Sequence, residues 1–381
     1  MSLKAHILKK KNLAVFFLGL IVFTTLWVQI KVNTHLPRDI HIYLDAGYEA
    51  LNNQNPYQPF EIGSSFIYPP TALLLFSTLG KTKYPFEAWT AINIVSFILA
   101  IVLTFKASRN QIGNSGWKLI AIGTLFYAPF WEQVTIGQAN TLVLLGITLF
   151  ILGVIDPRYN WLGDFGLAAA ISIKISPIIL VAYPMFRGDW QRMFRISLFL
   201  LILIMFSILF FGIPPWLDFL KIMPEIAKGY PGMNNETVDT LFKWLASSTP
   251  TWTRPAFSIS ILFSWIVALI YSRNSSNAIA ILGFGIATMT ISSSLIWYHH
   301  LVFLLVPIMY LLLSANSTRS LEYVILLFIL FGVAFINSNR IFEYWLNIPP
   351  IAAIAGYILI YLSSALNLIT KVQPKLNTIT D

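Results

Sequence analysis

Apolar residues fall in long runs separated by short polar stretches, at 12–30, 67–79, 86–105, 119–131, 139–155, 161–175, 177–186, 193–213, 256–272, 278–296, 301–314, 321–336 and 349–369. Most of these runs have the length of bilayer-crossing helices, for which about 20 residues at 1.5 Å each are needed. The first run follows Lys9, Lys10 and Lys11 and ends without a small-residue cleavage site, so it is expected to be a signal anchor with its amino terminus in the cytoplasm. The run at 67–79 is too short to cross and carries Pro69 and Pro70 near its start. It is expected to dip into the membrane from outside, which also keeps the basic loop from Lys106 to Lys118 in the cytoplasm.

A second interruption lies between Trp161 and Phe186, where Lys174, Ser176 and Pro177 break an apolar stretch. One continuous helix would bury the lysine near its middle and place Arg187, Arg192 and Arg195 outside, so two short helices meeting at the outer face are predicted instead. The resulting fold class is all-α, a polytopic bundle of about 12 crossings with both termini inside and a single membrane domain over 1–381. Fifteen Lys and Arg then lie inside and nine outside, with Lys174 at the break. Two long outer segments, 31–85 and 214–255, are the natural carriers of function, and helices complete the chain over 256–381.

Composition closes off other classes. Hydrophobic residues make up 57% and charged residues 11%, against roughly 25% charged in soluble domains, so a water-soluble fold could not clothe its surface. The net charge of +9 fits basic cytoplasmic loops, and no nucleic-acid module is visible. With no cysteine, there is neither a disulfide framework nor a thiolate metal site.

Acids are scarce, and four of them, Asp39, Asp45, Glu49 and Glu61, lie in the first outer segment. Ile40, Tyr43, Leu44, Tyr48 and Leu51 recur at helical spacing, predicting a helix over 39–53 on the membrane surface with Asp39 in its first turn. Asp39 can cap that helix. Equally, a carboxylate just outside the membrane can take a proton from an acceptor hydroxyl while a phosphate leaving group stays anchored in lipid and is steadied by cations. Lys174, Arg254, His299 and His300 are the cationic or proton-donating candidates on the same side.

Six short motifs, in order, resemble glycosyltransferase family 87. They are Asp39-Ile-His41-Ile-Tyr43, Asn55-Pro56-Tyr57, Tyr68-Pro69-Pro70, Gly137-Gln138-Ala139-Asn140, Gly166 through Lys174-Ile-Ser-Pro177, and Trp297-Tyr-His299-His300. The resemblance covers about residues 10 to 310. It implies a GT-C type bundle with amphipathic helices in the first outer loop. It also implies an inverting transferase that moves a sugar, mannose first among candidates, from a polyprenyl-phosphate donor to a lipid or glycan acceptor. Asp39 matches the family's base, with Asp45 as runner-up on another helix face. His41, Tyr43, Tyr57, Tyr68, Gln138, Asn140, Lys174, His299 and His300 are the substrate-binding matches.

Each of these has a plainer reading as well. Lys174 can snorkel to the interface, the histidines can sit in an aromatic belt beside Trp297, and Gln138 and Asn140 can satisfy the start of a helix that follows Trp131 and Glu132. Glu132 is an alternative to Gln138 as the polar residue of the second outer loop. The 214–255 segment, with Trp216, Trp244, Trp252, Lys221, Lys228, Lys243 and Arg254, is expected either to close over the site or to rest on lipid headgroups. No cofactor is expected: a divalent metal would have only Asp39, Asp45 and Glu49 to recruit it. The expected location is the plasma (inner) membrane with the site facing outward, where a nucleotide sugar is a poor donor. A lipid-linked sugar flippase or small-solute transporter would instead place ionisable groups near the bilayer midplane, and Asp164 is the main acid outside the loops. A structural subunit of a cell-envelope complex would not depend on Asp39 at all.

Overall fold

The computed structural model describes residues 38–61, 64–109, 127–228, 252–314, 358 and 360–366, and every regular element among them is helical. The expected spans at 12–30 and 321–336, most of those at 119–131 and 349–369, and Lys243 and Trp244 lie outside the described residues. We label the α-helices α1 (Arg38–Leu51), α2 (Thr71–Gly80), α3 (Pro85–Arg109), α4 (Ala128–Ile136), α5 (Asn140–Ile155), α6 (Asn160–Ile173), α7 (Ala182–Arg187), α8 (Trp190–Phe211), α9 (Pro214–Lys228), α10 (Thr253–Tyr271), α11 (Ala278–Ile291) and α12 (Leu305–Ser314). Short 3-10 turns cover Ser176–Val181 and Tyr298–Leu304.

Among the described residues, Pro85–Ser108, Trp190–Phe211 and Thr253–Tyr271 are long and apolar enough to cross a membrane. α8 and α10 leave large apolar side chains uncovered, including Leu209, Phe210, Ile259 and Phe263. In water such a girdle would be a liability; toward lipid tails it carries no cost. α11 is the opposite case. All of its residues are buried, as befits a helix apolar on every side. α5 and α6 meet through facing glycines, Gly146 with Gly166 and Gly153 with Gly163, which bring the two backbones close together.

The break at Lys174 is present. α6 ends at Ile173, Lys174 is extended, and the 3-10 turn that follows begins at Ser176 with Pro177 in its first turn. The short run at 67–79 forms the ten-residue α2, starting just after Pro70. Most of α2 is buried against α1 and its neighbours.

Three expectations are refined. The stripe of α1 that packs into the protein is Ile40, Tyr43, Ala46 and Ala50, whereas Tyr48 and Leu51 are exposed. The outer segment from 214 is not a loop at its start. Pro214 and Pro215 open α9, as proline readily does in a first turn. Trp216 donates its indole N–H to the Ser207 hydroxyl at 3.0 Å, and Arg254 donates to the carbonyls of Ala227 and Lys228. These two residues therefore secure α9. Finally, Glu132 lies within a further short helix, α4, rather than in a loop, and Gly137 separates α4 from α5, which begins at Asn140 as expected.

Asp164 is fully buried on α6 and accepts from Arg192 Nη1 at 2.7 Å and Arg195 Nε at 2.6 Å, both on α8. Arg192 also meets Asp189, the N-cap of α8, and donates to Asn160 and to the Gly153 carbonyl. The acid that raised a transporter reading is thus neutralised by two arginines. Asp164→Ala would leave both guanidiniums without their buried counter-charge, a loss of about 3–5 kcal/mol. A thermal melt in detergent should show a clearly lowered midpoint, and an unchanged midpoint would refute this role.

Candidate active site

The site is assembled on α1, the corner between α4 and α5, the end of α6 and the 3-10 turn at Tyr298–Leu304. Asp39 stands in the first turn of α1, where a negative charge is favoured by the helix dipole. α1 is seated on α2 through Gly47, since a Cβ there would lie 2.7 Å from the Ser77 amide nitrogen. The opposite wall is the corner. Gly137 ends α4 in the left-handed region at φ 79°, and a Cβ would meet Ile40 of α1 at 2.8 Å. Only glycine provides both the turn and the close approach.

From α3, Trp89 donates to the Gly137 carbonyl at 2.8 Å, and Asn93 accepts from Gln133 at 3.0 Å and from Thr141. Asn93 and Trp89 were not singled out from sequence. An asparagine inside an apolar span was the available signal, because such a group must find partners within the protein.

This corner places Gln138 and Asn140 on either side of buried Ala139. Gln138 donates from Nε2 to the Asp39 carboxylate and accepts at Oε1 from the Tyr68 hydroxyl, 2.7 Å away. Tyr68 is in turn 3.0 Å from the Tyr43 hydroxyl. Burial, reinforced by the Asp39 charge, pushes both tyrosines above the ordinary phenol range, so they remain neutral donors. Of the two polar candidates of this loop, it is Gln138 that meets Asp39.

Asn140 belongs to a second cluster. Its Oδ1 accepts from Lys174 Nζ at 3.0 Å, and Lys174 Nζ lies 2.7 Å from His300 Nε2. His300 Nδ1 is 3.1 Å from the Leu295 carbonyl. The Trp297 backbone N–H also lies 3.3 Å from Nδ1, so both ring nitrogens of His300 are engaged, Nδ1 by the backbone and Nε2 by Lys174. His299 is buried edge-on to His300 with ring centroids 4.6 Å apart, and its Nε2 has no hydrogen-bond partner among the described residues. Burial pulls Lys174 down to about 7, only partly opposed by the negative charge of Asp39. Thr71 of α2 donates to the Ser172 carbonyl near the end of α6, tying this wall to the first outer segment.

The remaining matches sit differently. Tyr57 is fully buried and donates to the Tyr68 carbonyl at 2.9 Å, so it shapes the loop that carries Tyr68. His41 packs at a tilt against Phe86, with ring centroids 4.7 Å apart, two positions and about 200° around the helix from Asp39. Asp45 is exposed, on another face of α1 from Asp39. Among the described residues no group of three His, Asp or Glu is arranged to hold a metal ion. What converges is a carboxylate with a fixed donor on one side, and a lysine, an asparagine and two histidines on the other. Such a pair of faces can accept a proton at one and hold an anion at the other.

Comparison with known proteins gives a separate line of findings. The model of glycosyltransferase family 87 matches residues 66–294, a stretch that contains Tyr68, Gln138, Asn140 and Lys174 and stops short of Asp39 and of the histidine pair. The chain is 24% identical over 128 residues to an alpha-(1->3)-arabinofuranosyltransferase of Corynebacterium glutamicum, covering 33% of this chain and 30% of that one. It is similar to the polyprenol-phosphate-mannose-dependent alpha-(1-2)-phosphatidylinositol mannoside mannosyltransferases of two further species. For Mycobacterium tuberculosis the identity is 26% over 149 residues, 35% of this chain and 34% of the relative. For Mycolicibacterium smegmatis it is 21% over 341 residues, 78% of this chain and 75% of the relative. The matched stretches thus span about a third of the first two relatives and three quarters of the third.

Gly137→Ala tests whether the corner holds the site together. Strain at a positive φ and the contact with Ile40 should cost about 1–3 kcal/mol. The melting midpoint and catalytic turnover should fall together, and a wild-type value for both would refute the close-approach argument.

Proposed function

The chain belongs to glycosyltransferase family 87, and on that premise we propose that it is a membrane-embedded inverting glycosyltransferase using a polyprenyl-phosphate-linked sugar, mannose foremost, with a lipid or glycan acceptor. The observation that carries this reading is the division of the site into the Asp39 face and the Lys174 face across Ala139, with Gln138 serving one and Asn140 the other. Asp39 takes the proton of the acceptor hydroxyl as its oxygen attacks the anomeric carbon. The bond from that carbon to the phosphate oxygen breaks, and the phosphate leaves with the electron pair. Polyprenyl phosphate needs a cation more than a proton donor, and Lys174 supplies it.

The two histidines then divide their work. His300, already bonded to Lys174 and Leu295, aims the lysine; His299, with its unpartnered Nε2, meets a phosphate oxygen. The site faces the outer side of a plasma membrane bundle of about 12 crossings, with both termini in the cytoplasm. The chain is a single membrane domain, with the first outer segment forming one wall and no cofactor needed. A carrier reading draws no support from Asp164, which is held by Arg192 and Arg195.

Asp39→Asn and Asp39→Ala in purified protein should lower transfer of radiolabelled mannose from polyprenyl phosphate by about 10²–10⁴-fold while donor binding persists. Full turnover in both would refute the base assignment.

Lys174 gives a pH signature. Free, it titrates at about 7; an adjacent phosphate anion raises that value. Donor binding therefore takes up a proton above neutrality, and affinity should fall by up to tenfold per pH unit as pH rises beyond 7, while staying level below it. Lys174→Arg keeps its charge throughout and should bind with a flat profile. Calorimetry in buffers of different ionisation enthalpy reads the uptake directly, and none in the wild-type protein would refute the phosphate contact.

A further inference from the structure

Sequence motifs grouped Tyr43, Tyr68 and Gln138 with substrate-binding residues, but the structure turns all three toward one another. Each is at most 5% exposed. The proton positions along the chain are fixed by elimination. Tyr68 is bonded through its hydroxyl both to Gln138 Oε1, to which it donates, and to Tyr43. Its single proton is therefore committed, and Tyr43 must be the donor to Tyr68. Because a carboxylate can only accept, the Gln138 amide presents its N–H face to Asp39 and leaves Oε1 for the Tyr68 proton. Tyr57 pins the same unit by donating to the Tyr68 carbonyl.

We propose that Tyr43, Tyr68 and Gln138 are positioning residues for Asp39, a one-way hydrogen-bond chain whose every donor points toward the carboxylate, holding it in place and ionised. The proposal rests on Asp39 being the base. A donated hydrogen bond favours the charged form of a carboxylate, and buried networks of this kind are strong when every member is satisfied. Reversing the amide would turn a carbonyl toward the carboxylate, which an ionised Asp39 disfavours because it can only accept. Other groups set the background. The negative charge of Asp39 is felt by Tyr43, Tyr68 and Lys174. Arg38, His41, Asp45 and Glu49 share its helix, α2 has no titratable residue, α4 contributes Glu132 and the first turn of α3 carries exposed Glu87. Arg192 and Arg195 of α8 are taken by Asp164.

The test follows the Asp39 side chain directly, in full-length protein labelled with 13C at the aspartate carboxyl carbon and assigned by the signal missing from Asp39→Asn. Gln138→Leu should raise the titration midpoint of Asp39 by about one pH unit or more, through loss of the donated bond. Gln138→Glu should raise it further by placing a second carboxylate there. Tyr68→Phe, the mildest change, should raise it by about half a unit. Unmoved midpoints in Tyr68→Phe and Gln138→Glu would overturn the proposal.

Turnover of polyprenyl-phosphate mannose provides the second readout. A positioning role lowers kcat in Tyr68→Phe with KM unchanged and moves the acid limb of the pH profile upward. A raised KM with an unmoved limb would make Tyr68 a substrate contact and overturn the proposal. If Asp39→Asn keeps full turnover, the base reading fails, whereas the titration still decides whether the chain governs Asp39.

Discussion

A polar group inside an apolar helical protein must be answered by another polar group, because neither lipid nor aliphatic side chains can do so. The contact between Asp39 and Gln138 is where that demand organises this molecule. To meet Asp39, Gln138 has to emerge from a sharp corner between two helices. The corner requires Gly137 in a left-handed turn against Ile40, and it is braced from α3 by Trp89 and Asn93. The same corner delivers Asn140 to Lys174. One turn of three residues therefore spaces the carboxylate and the cation, and the surrounding helices serve to hold it.

The break at Lys174 was readable from sequence because a lysine followed two residues later by Ser-Pro cannot sit in the middle of a crossing helix. The first-turn position of Asp39 and the shortness of the segment at 67–79 were readable for similar reasons of length and proline placement. The buried face of α1 was not. In a membrane protein the apolar residues of a helix can look toward lipid or toward protein, so Tyr48 and Leu51 carried the same signal as Ile40 and Tyr43. Helix α9 was hidden as well, because its two opening prolines suggest a loop on composition and start a helix on geometry.

The site shows the same limit more sharply. Motif matching collected Asp39, Gln138, Asn140, Lys174 and the histidine pair, and the structure brings them together. It could not assign directions. That His300 is consumed by Lys174 and Leu295 while His299 keeps an unpartnered nitrogen follows from the 3-10 turn at Tyr298–Leu304, whose pitch sets the two rings edge to face. Adjacent identical residues acquire different duties from backbone shape alone. Asp164 makes the complementary point: a buried acid is informative only together with its partners, and here those partners are two arginines.

The contrast between α10, largely uncovered, and α11, enclosed on every side, has an evolutionary reading. Where a helix meets only fluid hydrocarbon, many large apolar residues are interchangeable, and lineages can drift freely there. Where each side chain fills a space of fixed size, drift is arrested. Across its descendants this chain should therefore age unevenly, its outer girdle turning over while the enclosed helix keeps its residues.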